Sequence, residues 1–201
     1  AGIDKPSYRF DGAQRFEITE DTNPRCHEQD WCHVDNGITF LEQQSQQSDR
    51  PFFLYISTGL VHAAFRTNRY WLDKIPEDAV DIPAMDDCDH PGIQFQRMNK
   101  AWRYGFEEET IRTVRRIYFA MCAEADALVG AIYDSMHRLG LADNTYFVFS
   151  SDHGELALEH QQYYKMSLYE GSVRVPMLMT GPDIPANGES DNLVSLIDLC
   201  P

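Results

Sequence analysis

Two neighbouring side chains, Asp152 and His153, form the strongest candidate for a metal site in this chain of 201 residues. They follow the apolar run Tyr146–Phe149 and precede Gly154, within the string Ser-Ser-Asp-His-Gly-Glu. A carboxylate beside an imidazole, on a turn that glycine makes possible, offers two ligands to one divalent metal ion. A turn or cap without any metal is the alternative interpretation of the same two residues.

Two further residues could place positive charge or a proton beside such a metal. His62 follows the apolar run 51–57, and Lys165 comes twelve residues after His153. A metal ion and an ammonium group together can neutralise an oxyanion such as phosphate or sulfate. Taken singly, His62 is an ordinary loop histidine and Lys165 an ordinary surface lysine. It is their order along the chain, after predicted strands, that favours a common anion site.

The cysteines suggest a second cluster near the beginning of the chain. Cys26-His27 and Cys32-His33 place four residues of zinc-ligand type within eight positions, but the five residues between the cysteines exceed the usual two to four. A disulfide between Cys26 and Cys32 would require an oxidising compartment. A zinc site, a disulfide and a plain loop remain three open alternatives.

The candidate residues need strand ends to bring them together. Apolar runs predict buried strands at 51–57, 145–151 and 175–180. Apolar residues at helical spacing predict one long helix over Glu107–Leu139, with Gly140 just after its end. A strand, a long helical crossover and a strand indicate parallel pairing, and ligands bind beyond the carboxyl ends of such strands. The fold class is therefore α/β.

The remaining segments are less regular in sequence. Residues 1–50 are predicted to be irregular apart from a short helix at 34–41, and the seven acids within 73–89 indicate a solvated loop. A basic stretch is interpreted either as a solvated helix face or as a rim that attracts a sulfated sugar. It comprises Arg97, Lys100, Arg103, Arg112, Arg115 and Arg116.

The composition excludes several classes of protein. Apolar residues make up 43% of the chain and aromatic residues 12%, which excludes global disorder. The net charge of −15 argues against a nucleic-acid partner. The longest apolar run, 51–56, is far shorter than the ~20 residues that span a membrane, so no membrane span is predicted. The oligomeric state is left open by the sequence.

An ordered set of motifs occupies the stretch from Asp126 to Pro176. It begins with an Asp-x-x-x-Gly pattern and a Leu-Gly-Leu-x-Asp-Asn-Thr stretch, and continues with the Ser-Asp-His-Gly turn and a Glu-His pair. The lysine and a Tyr-Glu-Gly-x-x-Arg-Val-Pro segment follow. In this order and at this spacing, the set resembles the sulfatase family of the alkaline-phosphatase superfamily, and phrases such as Tyr164-Lys-Met-Ser are most similar to its arylsulfatase K branch.

The resemblance implies a fold and a role for each candidate residue. The implied fold is an alkaline-phosphatase-like three-layer sandwich with a mostly parallel central sheet, present here in part. Asp152 and His153 match two ligands of a divalent metal, usually Ca²⁺ in sulfatases. Lys165 matches the lysine that contacts sulfate, and His62 a proton donor to the leaving alcohol. His160, in the Glu-His pair, matches a substrate-binding position.

Three expected features of the family do not occur in the sequence. The sulfatase nucleophile is a formylglycine made within a Cys/Ser-x-Pro-x-Arg motif, and none of the ten prolines here stands in one. A pair of metal-binding aspartates and a smaller C-terminal domain are also missing. Residues 1–201 are therefore expected to be the central part of a single sulfatase catalytic domain, and to be inactive alone.

The parent protein is expected to be a sulfuric ester hydrolase. Its expected substrate is a sulfated small molecule or glycan, and the resemblance implies sulfated uronic acids in a glycosaminoglycan. A phosphonate or phosphodiester hydrolase of the same superfamily is the alternative within the class, and a non-catalytic fragment or pseudoenzyme is the alternative outside it. The expected location is periplasmic or secreted in a bacterium, and lysosomal or extracellular in a eukaryote.

Overall fold

The computed structural model of the protein describes residues 16–47, 50–100 and 105–199. Four short 3₁₀ turns lie between or after its regular elements, at Glu77–Ala79, Ala142–Asn144, Glu159–Gln161 and Leu196–Leu199. In chain order the regular elements are β1 (Phe16–Thr19), α1 (Glu28–Gln44), β2 (Phe65–Asn68), α2 (Arg69–Leu72), α3 (Pro91–Asn99), α4 (Glu108–Arg138), β3 (Phe147–Ser150), β4 (Leu156–Ala157), β5 (Tyr163–Tyr164), α5 (Glu170–Val173) and β6 (Met177–Thr180).

The long helix α4 supplies much of the core. Its apolar stripe, including Val114, Ile117 and Met121, is fully buried and packs against Phe65 of β2. The helix follows the predicted range to within one residue at each end, and Gly140 adopts the expected left-handed conformation with φ of 69°. No helix in the described part of the chain combines the length and apolar character that a membrane crossing requires.

Three small sheets accompany the helices. β1 and β2 pair in parallel, whereas β3 pairs with β6, and β4 with β5, antiparallel. The α/β class is confirmed, and the parallel pairing lies in β1 and β2. The predicted strands 145–151 and 175–180 pair antiparallel, and the β4–β5 hairpin and the one-turn helix α5 connect them.

The predicted buried strand at 51–57 is wrong in two respects. The segment has no strand partner in the described residues, and its exposure alternates along the chain. Phe53 is 90% exposed, while Phe52 makes an edge-to-face contact with Phe40 of α1. Ile56 lies against Gly37 of the same helix. Alternate side chains of the run 51–57 therefore cover one face of α1, and the side chains between them are exposed.

The first 50 residues are more regular than the sequence indicates. The structure describes positions 16–47 of this stretch, and they hold β1 and the 17-residue helix α1 in place of the short helix at 34–41. Only Asp30, Val34, Gly37 and Leu41 of α1 are buried. Its apolar stripe is thus sparse at the amino end, which explains why periodicity detected only the carboxyl half.

Arginines bind the acidic segment 73–89 to the helices. Salt bridges join Glu77 to Arg116 at 3.1 Å and Asp81 to Arg115 at 2.6 Å, both across to α4. Asp86 pairs with Arg97 of α3. The segment is therefore a charge-paired strap around the helices and not only a solvated loop. The arginines of the basic stretch that make these pairs have their charge neutralised within the protein, which argues against a rim that attracts a sulfated sugar.

Candidate active site

The turn that carries Asp152 and His153 brings their ligand atoms close together. Oδ1 of Asp152 lies 3.6 Å from Nε2 of His153. Nδ1 of His153 lies 2.8 Å from the carbonyl oxygen of Gly154 and donates its proton there, so Nε2 keeps the lone pair that a metal needs. Two ligand atoms that bind one Ca²⁺ at right angles are about 3.4 Å apart. The two side chains therefore fit a shared divalent cation.

Gly154 allows this turn to lie close against α5. Its N–H donates to the carbonyl oxygen of Ser172 at 2.8 Å. A Cβ atom on Gly154 would lie 2.1 Å from the carbonyl oxygen of Gly171, a distance that no side chain tolerates. The close contact of two backbone segments thus requires glycine here and fixes the turn just before it.

His62 and Lys165 are in direct contact although 103 residues separate them in sequence. Nζ of Lys165 lies 2.5 Å from Nε2 of His62. Nδ1 of His62 donates to the carbonyl oxygen of Ala63, so Nε2 is left to accept a hydrogen bond from the ammonium. The rings of His62 and His153 are 6.2 Å apart. The structure therefore brings His62, His153 and Lys165 together, next to Asp152.

The hairpin of β4 and β5 returns the chain from His153 to Lys165. Leu156 stands opposite Tyr164 in this antiparallel pair, so the residue after Tyr164 comes back toward the turn that precedes β4. This explains how a twelve-residue separation in sequence becomes proximity in space. The hairpin is buried at Leu156 and Tyr163, which holds it against the core.

Asp30 of α1 holds the loop that leads to His62. Its carboxylate accepts hydrogen bonds from the N–H groups of Gly59 at 2.8 Å and Leu60 at 2.9 Å. The side chain is buried, so these two bonds are shielded from water. Sequence reasoning gave Asp30 no role, because the pattern of α1 does not reveal a partner twenty-nine residues away.

Glu155 is a buried acid beside the candidate site. Burial of the carboxyl group, the largest effect, raises the pKa of Glu155 to about 7. The N–H groups of Tyr164 and Leu156 and the ammonium of Lys165 oppose this rise. The site therefore contains a carboxyl group that is only partly ionised near neutral pH.

His160 has a different environment from the other predicted site residues. Its Nδ1 shares a hydrogen bond with the carboxylate of Asp86, and its ring stacks on Tyr169 with centroids 3.7 Å apart. Its carbonyl oxygen accepts a hydrogen bond from Arg97 at 3.0 Å. These contacts attach the acidic strap to the turn after β4, and a substrate contact by His160 stays a prediction.

The four residues of the predicted cysteine cluster do not come together at one site in the structure. Cys26 and Cys32 are free thiols. Nδ1 of His33 lies 3.0 Å from the carbonyl oxygen of Ser57. Cys26 and His27 instead meet Glu124 of α4, an acid that the sequence gave no reason to select.

Comparison with known proteins identifies relatives over almost the whole chain. A sequence model of the family described as Sulfatase matches residues 2–201. Arylsulfatase K of Canis lupus familiaris is 38% identical over 199 residues, which are 92% of this chain and 37% of that protein. Arylsulfatase K of Xenopus laevis is 40% identical over 90% of this chain and 36% of that protein. The chain thus spans little more than a third of the length of these relatives.

Comparison with solved structures supports the alkaline-phosphatase-like fold that the sequence predicts. The Bacteroides fragilis protein yidJ, described as a sulfatase, superposes with a TM-score of 0.57 and 25% identity, over 77% of this chain and 31% of that chain. The phosphonate monoester hydrolase of Agrobacterium radiobacter gives a TM-score of 0.56 at 23% identity, over 72% and 32%, and shows similarity of fold alone. The alkaline-phosphatase-like fold and the resemblance to arylsulfatase K are thereby confirmed. The chain belongs to the sulfatase family.

Proposed function

We propose that this chain is the central part of the catalytic domain of a sulfuric ester hydrolase. The observation that carries the proposal is the contact between Lys165 and His62, 2.5 Å apart, beside the Asp152–His153 turn. A cation, a proton donor and two metal-ligand side chains in one place are what cleavage of an anionic ester requires.

Asp152 and His153 would hold the divalent metal that sulfatases generally use. Their orientation fits, because Nδ1 of His153 is bonded to the carbonyl oxygen of Gly154 and Nε2 faces Oδ1 of Asp152 at 3.6 Å. When bound, the metal supplies positive charge to the sulfate oxygens. We assign Ca²⁺ from the family resemblance and from the carboxylate; because calcium takes six to eight oxygen ligands, other parts of the protein must supply most of them.

Lys165 and His62 would act on the leaving oxygen. The Lys165 ammonium binds the ester through its charge and stabilises the oxygen as the S–O bond breaks. Nε2 of His62, held toward Lys165 by the bond from Nδ1 to Ala63, is positioned to take a proton from the Lys165 ammonium and pass it to that oxygen. The products are then a neutral alcohol and sulfate.

The nucleophile has to come from outside these 201 residues. No Cys/Ser-x-Pro-x-Arg motif occurs in the sequence, so the formylglycine of sulfatases cannot form here. We therefore propose that residues 1–201 form one segment of a single larger catalytic domain. This assignment is consistent with the share of the relatives' length that the chain covers.

The family resemblance and the charge of the site support a proposal for the substrate class. We propose a sulfated glycan, with sulfated uronic acids of glycosaminoglycans as the specific candidates, and His160 as a contact to the sugar. Both named relatives are animal proteins. In animals, glycosaminoglycans are found outside cells and in lysosomes. A lysosomal or secreted location in a eukaryote is therefore proposed, and a periplasmic or secreted one applies to a bacterial protein.

Sulfate release by the full-length protein tests the proposal. Replacing Lys165 with alanine should lower kcat on the order of 100-fold, as loss of a transition-state donor does elsewhere. Lys74→Ala serves as the matched control. The ammonium of Lys74 lies over the Tyr70 ring, and this lysine has no predicted role in the site. Equal turnover by wild type and Lys165→Ala would remove the lysine from the mechanism.

The same assay with a second ester distinguishes a sulfatase from the phosphonate-hydrolase alternative. A sulfatase should cleave a sulfate monoester much faster than a phosphonate monoester with the same alcohol. The reverse preference would favour the alternative, and no turnover of either ester by an intact, metal-loaded protein would favour a pseudoenzyme.

A further inference from the structure

We propose that Cys26, His27 and Glu124 form a second metal site that takes a borderline-soft divalent ion, with Zn²⁺ as its natural occupant. The three residues each place a ligand atom within 4.8 Å of the other two. Cys26 and His27 precede helix α1, and Glu124 projects from the middle of α4. The site therefore joins two helices that are distant in sequence, and it is separate from the Asp152–His153 turn.

The carboxylate of Glu124 is held in the orientation that a metal needs. It is fully buried, and its Oε1 accepts hydrogen bonds at 2.9 Å from the N–H of His27 and from Nε1 of Trp31. Its Oε2 lies 2.7 Å from Nδ1 of His27. Two donors thus fix one oxygen and leave the other directed at the imidazole, as outer partners of metal ligands do elsewhere.

The ligand types select zinc over calcium. A thiolate and an imidazole suit Zn²⁺, whereas Ca²⁺ prefers an all-oxygen shell. Three protein ligands leave a fourth position open, and a polar cavity of about 300 Å³ adjoins Cys26. Polar residues including Asp21 and Glu28 line that cavity, so a water molecule from it can complete a tetrahedral site.

The local charges favour a cation despite two opposing groups. The positive end of α1 and the guanidinium of Arg66 both disfavour it. Glu124, Asp21 and Glu17 all place negative charge near the thiol. Without a metal, burial first and these acids second raise the pKa of Cys26 to about 11, so the group is a protonated thiol.

Metal binding therefore exchanges one proton. The Cys26 thiol releases its proton to solvent and forms the bond from Sγ to the metal. The His27 proton moves from Nδ1 to Nε2, and Nδ1 and Oε2 of Glu124, which are 2.7 Å apart in their hydrogen bond, separate to the roughly 3.3 Å that two tetrahedral zinc ligands need.

Titration of the full-length protein with Co²⁺, a spectroscopic substitute for Zn²⁺, tests the site. Wild type should develop a thiolate-to-cobalt charge-transfer band in the near ultraviolet, and added Zn²⁺ should remove it. Cys26→Ser should lose the band and weaken Zn²⁺ binding by at least about tenfold. Cys32→Ser is the matched control, because that exposed cysteine lies six positions along the chain and outside the cluster.

Each outcome decides the proposal. A band that Cys32→Ser retains and Cys26→Ser loses, with normal circular dichroism in both, supports it. The absence of a band in wild type, or its persistence in Cys26→Ser, would overturn it. Glu124→Gln, which keeps the acceptor for Trp31, should retain the band and lower the affinity; unchanged affinity would remove Glu124 from the site.

Discussion

At the scale of single residues, Asp86 shows how the strap stabilises the fold. Burial of its carboxyl by itself would raise the pKa of Asp86, but Arg97 and the polar groups around it outweigh this effect and hold the pKa well below its usual range. A depressed folded-state pKa stabilises the fold above the unfolded value of 3.8. That stability is lost as the pH falls below this value.

Asp86→Asn should therefore lower the free energy of unfolding by about 2 kcal/mol at pH 7, because Arg97 loses its buried partner. The deficit relative to wild type should shrink below about pH 4, where the Asp86 carboxyl of the unfolded wild-type chain takes up a proton while the folded protein keeps it ionised. Urea unfolding at several pH values measures both effects. The neighbouring exposed Asp87→Asn is the control, and a deficit independent of pH would contradict this account.

Residue types and order predicted much of the candidate site, but not the groups that support it. His62, His153 and Lys165 were selectable because each follows an apolar run or belongs to an ordered motif. Asp30 and Glu124 were not, because their partners lie 29 and 97 residues away and no local pattern marks them. Long-range partners of single buried acids are set by tertiary packing, which one sequence does not reveal.

At the scale of elements, the close contact between the Asp152–His153 turn and α5 decides the geometry of the two proposed metal ligands. Gly154→Ala should destabilise the protein by about 2 kcal/mol or more, because the new Cβ would overlap the carbonyl oxygen of Gly171. Metal affinity of the full-length protein should fall as well, since the ligands move with the turn.

Gly130 of α4 provides a matched control for that substitution. A Cβ atom there would meet no heavy atom within 4 Å. Gly130→Ala should therefore raise the free energy of unfolding by up to about 1 kcal/mol through helix propensity. Chemical unfolding of both variants measures the contrast, and equal effects would mean that the contact at Gly154 does not constrain the turn.

Arg115 connects three elements through one guanidinium. It is 5% exposed, and its Nη1 donates to the carbonyl oxygen of Ala157 at 2.8 Å and to Glu159 at 2.5 Å. Its Nη2 donates to Asp81 at 2.6 Å. Helix α4, the strap and the segment after β4 are therefore held by the same buried charge.

Arg115→Ala should lower the free energy of unfolding by about 3 kcal/mol, because it leaves acids and a carbonyl group without their buried partner. Arg138→Ala should change it by less than about 1 kcal/mol, since that arginine is exposed and lies 3.4 Å from Glu42. Thermal or urea unfolding of the two variants provides the comparison. Similar losses would show that the arginine pairs of the strap act as ordinary surface pairs.

Helix α4 was predictable because its apolar stripe is long and regular, whereas the pairing of strands was not. A continuous apolar run such as 51–57 is consistent with a buried strand, yet here alternate residues face α1 and the exterior. The direction of pairing depends on the connection, and the hairpin between β3 and β6 has little hydrophobic periodicity. The local sequence pattern therefore predicts the type of an element more reliably than it predicts the order of strands in a sheet.

At the scale of the whole molecule, charge and apolar surface both fit the proposed segment of a larger catalytic domain. The chain carries a net charge of −15, so the proposed anionic ester would need local compensation by Lys165 and the proposed metal. Several large apolar side chains are exposed, which is expected where further protein would cover them. The most exposed are Phe53, Tyr55, Leu168, Leu193 and Ile197.

Residues 1–201 expressed alone should release no sulfate from any sulfate ester, even with added Ca²⁺. The sequence holds no formylglycine motif, and Asp152 and His153 supply only two metal ligands. A sulfate-release assay on the purified segment, with the full-length protein as the positive control, makes the comparison. Metal-dependent, saturable turnover by the segment that disappears in Asp152→Ala would contradict the prediction.

The central claim is that Lys165 and His62 act as one unit on the leaving oxygen of a sulfate ester. A double-mutant cycle in the full-length protein, with kcat for sulfate release measured for Lys165→Ala, His62→Ala and both together, tests it most directly. Each single change should cost on the order of 100-fold, and the double variant should lose about the same amount because the pair works together. Losses that multiply to about 10,000-fold, or single variants as active as wild type, would contradict the claim.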